Sequence, residues 1–230
     1  MSWLVILSAA LLYIPLYSQV PIGGSGIKTN TRFYKVIPRA PLQTDGVFYI
    51  EDDFYMGNIY SYNHGDMDDL PLKYDLFRNQ MEVIIKEQKF ALNHNYIKNF
   101  DWFNNHKLIE SHYVNCKEYE FPVNRLTGFF EVVVDGPTQL LFKKHVQYYR
   151  GTDSHSIMGL HGQGTITTID LFYLGKNGKV IPLSRRRRPN YVHFGQYADQ
   201  MKVFIKSHGL NFHHREDLVK IVSHYNKLSQ

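Results

Sequence analysis

The chain predicts an α+β protein that is mostly β: an antiparallel meander or small barrel plus a second sheet, closed by a C-terminal αα-hairpin. Three observations predict it. Aromatic residues make up 15% of the 230, seventeen Tyr and fifteen Phe among them, and such side chains suit a pleated, half-buried surface. Short runs of β-forming residues recur between polar turns, the spacing of a meander. From about residue 194 the apolar residues change to the period of a helix.

The elements follow in order. Residues 1–18, MSWLVILSAALLYIPLYS, carry no charged side chain. Their apolar core is shorter than the roughly twenty residues a membrane-spanning helix needs, and Pro15 ends a helix there. The run reads as a signal peptide cleaved after Ser18, with the amine of Met1 as its positive end. Gln19 stands where a lipoprotein would need cysteine. The mature chain is therefore expected to be exported to the periplasm or cell envelope, not as a lipoprotein, with no transmembrane span after cleavage.

Residues 19–45 form an expected flexible lead, rich in Gly and Pro around GGSG at 23–26, with one short strand at 32–37. A first β region covers 46–113, with strands expected at 47–50, 54–62, 70–77, 81–86, 89–92, 96–103 and 107–113, and turns at Arg78-Asn79 and Glu87-Gln88. A second covers 114–190: strands at 128–134 and 138–149 flank Asp135-Gly136, and strands at 165–174 and 179–183 flank Asn177-Gly178. Asn-Gly and Asp-Gly are strong hairpin signals because a type I′ turn needs positive φ at both central residues. Residues 151–164 hold four glycines and read as a surface connection. In 191–230, Ala198, Met201, Phe204 and Ile205 recur at helical spacing, and Gly209 stands where a glycine ends a helix. A second helix aligns Leu218, Ile221, Val222, Tyr225 and Leu228, with Glu216 and Asp217 complementing the dipole in its first turn.

Three blocks resemble a family of uncharacterised exported proteins of Bacteroidota-type bacteria. They are YDLFRNQMEVIIKEQKFAL at 74–92, GFFEVVVDGPTQLLFKKH at 128–145 and MKVFIKSHGLNFHHREDLVKIVSHYNKL at 201–228. The resemblance is one of fold pattern, so it implies export and a β-rich body closed by a helical hairpin. It carries no catalytic residue with it.

Candidate chemistry is sparse. Cys116 is the single cysteine, which excludes an internal disulfide, a zinc knuckle and CxxC redox chemistry. His112, four residues away along a strand, is about 13 Å distant and cannot activate it, so a buried, inert thiol is expected. Asp66 and Asp68 alternate as calcium ligands do, but no glycine and terminal Glu complete a loop. Among twelve histidines, His208 and His213 could converge across the turn between the two helices, yet no supporting carboxylate or HExxH spacing accompanies them. Asp66, Asp68, His208 and His213 are thus weak metal candidates only. The residue types of a triad gather at 151–156 without a nucleophile elbow, and GLHGQG at 159–164 lacks the strand-to-helix context of a dinucleotide loop. Neither cofactor nor catalytic group is expected.

Charge gives the strongest functional signal. Residues 19–110 carry ten Lys/Arg against twelve Asp/Glu, while 111–230 carry sixteen against nine, so the surplus of +5 lies in the second half. Arg185, Arg186, Arg187 and Arg188 form one run, expected on an extended segment that splays them to both sides, with Tyr148, Tyr149, Tyr191, Phe194 and Tyr197 flanking in sequence. Such a run suits anionic lipid, polysaccharide or the carboxylates of another envelope protein. The expected function is a non-catalytic envelope protein that binds or scaffolds. One alternative is an exported hydrolase or metal-dependent enzyme using Asp66, Asp68 or the histidines. Another, if residues 1–18 are no signal, is an intracellular nucleic-acid-binding protein; export removes nucleic acid as a partner.

Overall fold

A computed structural model describes residues 34–35, 44–46, 49–63, 65–103, 110–122, 125–149 and 164–230. The expected signal peptide, most of the lead with its GGSG, His64, and nearly all of the 151–164 connection with its triad-like residues and GLHGQG fall outside them.

The protein is mostly β. Ten strands form an open antiparallel sheet: β3 (Tyr55–Ser61), β4 (Met67–Asp75), β5 (Gln80–Ile85), β6 (Gln88–Asn93), β7 (Ile97–Phe103), β8 (Glu110–Asn115), β9 (Phe129–Val134), β10 (Thr138–Tyr149), β11 (Gly164–Lys176) and β12 (Lys179–Pro182). Their spatial order is 6-5-4-3-7-8-9-10-11-12. The short β1 (Tyr34–Lys35) pairs antiparallel with β6, and β2 (Thr44–Gly46) pairs parallel with β11. The two regions expected as a meander and a separate second sheet share this one sheet through the β8–β9 pairing.

The turns follow local chemistry. Asn177 (φ 52°) and Gly178 (φ 72°) both lie in the left-handed region, as a type I′ hairpin requires. The β5–β6 turn is centred on Lys86 and Glu87, both at positive φ, one residue earlier than the expected Glu87-Gln88; pairing of Ile85 with Gln88 leaves only those two residues between the strands. At Asp135-Gly136 only the glycine has positive φ, so that connection is not type I′. Of the acidic residues, Asp68 and Asp69 lie in β4.

Paired residues in a sheet face the same side. One row runs Ile59, Phe100, Tyr113, Glu131, Phe142, Phe172 across β3, β7, β8, β9, β10 and β11. This face carries the main core, including Ile59, Phe100, Tyr113 and Phe129. Phe100 stacks on Tyr113 with centroids 4.6 Å apart and meets Phe129 and Trp102 edge to face. Tyr74 on β4 lies 5.2 Å from Phe129 on β9, although three strands separate them in the sheet. A flat sheet would hold those strands about 19 Å apart. The sheet is therefore strongly curled around this core. At the rim of the curl Gly128, with φ +82°, leaves room that a Cβ would take, 2.6 Å from Asn79 Oδ1 and 2.7 Å from the Tyr74 hydroxyl.

Helices cover the same face farther along. After β12 the chain forms α1 (Arg187–Asn190), a 3₁₀ stretch at Tyr191–Tyr197, α2 (Ala198–Ser207) and α3 (Arg215–Leu228). Met201, Ile205, Leu218, Ile221, Val222 and Tyr225 pack with Leu140 and Leu174 of the sheet. Leu210 N–H donates to Ile205 O at 2.9 Å, with Gly209 left-handed beside it, which ends α2 as expected. Arg215 in the first turn of α3 forms a two-point ion pair with Glu131, and its guanidinium lies 5.3 Å from the Phe142 ring centroid. Asn226 is buried and brackets Thr138, accepting from its N–H at 3.1 Å and donating to its carbonyl at 2.8 Å. A third cluster, Cys116, Phe130, Leu141, Tyr173 and Val180, packs on the opposite face under Tyr119, Phe121 and Leu126.

Candidate functional site

The arginine run occupies an ordered connection between β12 and the helices. Arg186 is extended (φ −82°, ψ 139°), while Arg187 and Arg188 already belong to α1. This corrects the expectation of one extended segment. Pro189, inside that turn, has no N–H to satisfy, and its ring restricts φ to helical values. The turn is held by Asn190, which is fully buried. Its Oδ1 accepts from Ser184 N–H at 2.8 Å, and its Nδ2 donates to the carbonyls of Ser184 and Arg186 at 2.7 and 3.0 Å. Arg186 N–H also donates to Ser184 Oγ at 3.2 Å. One side-chain amide thus closes the loop that carries the arginines.

Around this clamp Arg185, Arg186 and Arg188 are exposed and Arg187 is half-buried. Arg187 donates to Asn211 Oδ1 at 3.0 Å, an uncharged acceptor. Asn211 N–H in turn donates to Asp217 Oδ2 at 3.0 Å. Among the described residues, the ion pairs are Arg78–Asp75, His112–Asp101 and Arg215–Glu131. None of the four arginines takes part.

Of the flanking aromatic residues, Tyr191, Phe194 and Tyr197 are not part of an exposed face, contrary to their sequence position. Phe194 is buried, and Tyr191 and Tyr197 pack against the helical core beside it; Phe194 meets Tyr225 at 5.1 Å and Tyr197 meets Tyr225 at 6.2 Å between centroids. The reason is local. The 3₁₀ stretch turns those three side chains inward and leaves Val192 outward, 73% exposed. Tyr148 and Tyr149 are exposed, at the far end of β10.

The weak metal candidates are dispersed. Asp66 Oδ1 accepts from Ser61 N–H at 3.2 Å, and Asp69 N–H donates to Asn58 Oδ1. His208 Nδ1 donates to Phe204 O at 2.9 Å, and its ring neighbours Phe204, on which His224 also stacks at 3.8 Å. His213 lies against His214. Burial and then the neighbouring His208 depress the His224 pKa. Among the described residues, no three His, Cys, Asp or Glu gather closely enough to hold a metal ion.

Two polar groups escaped sequence reasoning. His112 Nδ1 donates to Asp101 Oδ1 at 2.6 Å, with Asp101 6% exposed and the His112 side chain 41% exposed. They are direct cross-strand partners in β7 and β8, on the sheet face opposite Phe100. Strand register, not sequence spacing, brings them together, and the connection between those strands conceals it. The other is Lys143, buried in β10, whose Nζ donates to Thr127 O at 2.7 Å and Phe129 O at 3.4 Å. Burial lowers its pKa. Cys116 is buried, and burial pushes its thiol up to about 11.

Comparison with protein-family models, curated proteins and solved structures returns no match for this chain. No described helix is long and apolar enough to cross a membrane.

Proposed function

We propose that this chain is an exported, non-catalytic protein of the cell envelope that binds or scaffolds an anionic partner through Arg185, Arg186, Arg187 and Arg188. One observation carries the reading: four consecutive guanidinium groups, none in an ion pair among the described residues, are held on a turn that a buried Asn190 closes. A charge run with no role beyond solubility needs no such clamp. Ordering before contact reduces the conformational entropy lost on binding. Anionic lipid, acidic polysaccharide and the carboxylates of a partner protein all fit this chemistry. The reading includes the resemblance to exported Bacteroidota-type proteins and cleavage after Ser18, which N-terminal sequencing of the purified protein tests. It also includes the finer architecture: the curl between Tyr74 and Phe129 supports a partly closed barrel, and the glycine stop between α2 and α3 supports a helical hairpin.

The direct test is a pull-down from envelope extract with the parent chain and with all four arginines changed to Ser. Loss of the captured partner or lipid is expected. Unchanged capture removes this site from the reading.

A second reading, an exported hydrolase, is favoured by the Asp101–His112 pair. A carboxylate on Nδ1 fixes the imidazole tautomer and turns Nε2 outward, the arrangement of a general base. Hydrolysis of activated esters that His112→Gln abolishes, with the fold retained, would establish it; equal rates for the parent and variant would dismiss it.

A further inference from the structure

Resting on that reading of the arginine turn, we infer that its partner is a lipid bilayer with anionic headgroups, met by the arginines and by Val192 together. Val192 lies four residues beyond Arg188, in the 3₁₀ stretch that continues directly from α1. Tyr191 N–H donates to Arg188 O, so the chain winds without a break between them. Positions three apart on such a turn share a side, so Pro189 aligns with Val192, and Arg188 immediately precedes them. Arg188, Pro189 and Val192 are all exposed, so a proline ring and an isopropyl group share one side of the turn, next to a guanidinium that enters no ion pair among the described residues. Arg185 and Arg186 are exposed on the preceding turn.

This composition separates a bilayer from the other anionic partners. A membrane surface presents phosphates to cations and, just beneath them, an apolar layer that takes up aliphatic side chains. A polysaccharide would instead be served by exposed aromatic rings, and the three in this segment, Tyr191, Phe194 and Tyr197, pack into the helical core. A carboxylate-bearing protein would use the arginines but has no need of Val192 outside a closed hydrophobic patch. Among the described residues no acid pairs with the exposed guanidiniums: the ion pairs there lie elsewhere.

The test is co-sedimentation of the mature protein, residues 19–230, with vesicles of phosphatidylcholine alone and of phosphatidylcholine mixed with phosphatidylglycerol. Binding is expected only to the mixed vesicles, weakening as salt is added. Each exposed arginine is worth about fivefold in affinity at such a surface. Changing Arg185, Arg186 and Arg188 to Ser should therefore weaken binding about a hundredfold, while Arg187 keeps its bond to Asn211. Val192→Asp should weaken it as well, with unchanged circular dichroism and unfolding midpoint in both variants. Three results overturn the inference: no binding to mixed vesicles, equal binding to both vesicle types, or a Val192→Asp variant that binds as the parent does. Dextran sulfate in place of vesicles separates the sources of charge. Arginine-dependent retention there, without vesicle binding, refutes the bilayer but leaves the proposed binding surface standing. Absence of arginine dependence in vesicles, dextran sulfate and envelope extract alike refutes both.

Discussion

Replacing Asn190 by Ala deletes the clamp without touching a charge. Three hydrogen bonds disappear: one accepted from Ser184 N–H and two donated to the Ser184 and Arg186 carbonyls. Neutral hydrogen bonds contribute about 0.5–1.5 kcal/mol each, and more where the abandoned partner stays out of water. Ser184 is half-buried and Arg186 exposed, so water recovers part of the loss. The expected cost is about 2–4 kcal/mol. For a domain of this size each kcal/mol lowers the thermal midpoint by about 2–4 °C. The assay is urea unfolding followed by Trp and Tyr fluorescence, with the Asn190→Asp variant beside it. Aspartate retains the acceptor for Ser184 N–H but sets a carboxylate against two carbonyl oxygens, so it should be no more stable than alanine. An alanine variant within about 0.5 kcal/mol of the parent, the range of ordinary surface substitutions, refutes the clamp. So does an aspartate variant as stable as asparagine.

Three further outcomes are expected. Phe100→Ala removes a fully buried ring with three close aromatic neighbours and should cost about 3–5 kcal/mol in denaturant unfolding; a loss under 1 kcal/mol would place the core elsewhere. Arg215→Lys keeps the charge but loses the planar fork on Glu131; it should cost about 1 kcal/mol at this partly exposed site, and a neutral result would show that α3 is docked by its apolar face alone. His94 is half-buried, with Nδ1 donating to Asn79 O at 3.0 Å, and burial holds its pKa below 6.5. The unfolded chain then binds more protons, so its contribution is present above 6.5 and lost as pH falls through the depressed folded value. His94→Gln should flatten that acid-side loss of unfolding midpoint, which a pH series of thermal melts reads directly.

The β body was legible because its signals are local. Asn177-Gly178 specifies a turn by φ alone, and the Gly209 stop needs only the residues beside it. Met201, Ile205, Leu218 and Ile221 were readable as helix faces because the period is repeated over several turns. What eluded the sequence is set by register and curvature. Whether residues 46–113 and 114–190 make two sheets or one depends on β8 meeting β9, which no motif announces. The same is true of Asp101 opposite His112. The arginine run itself was plain, but its clamp was not: Asn190 reads as one more polar residue after a proline. Its value lies in the reach back to Ser184. Tyr191, Phe194 and Tyr197 misled for a related reason, since composition does not say which side of a 3₁₀ turn faces the core.

The buried polar residues divide by what they serve. Asp75 accepts from Arg78 N–H in the β4–β5 turn; Asn115 donates to the carbonyls of His94 and Ile97. Lys143 holds Thr127 and Phe129, Asn190 holds Ser184 and Arg186, and Asn226 holds Thr138. Each satisfies main-chain groups where the chain leaves regular structure, and an unpaired group there would be costly. Asn190 serves folding and, by the same bonds, arranges three exposed cations. Asp101 is buried against the side chain of a partly exposed histidine, as Asp75 is against Arg78, but its partner lies on the neighbouring strand rather than in a turn. A carboxylate so placed secures no turn, and its burial must be offset by the hydrogen bond it accepts. Removing both partners, Asp101→Asn with His112→Gln, should consequently cost the fold less than the sum of the single changes, whereas removing Asn190 or Asn226 has no such compensating partner.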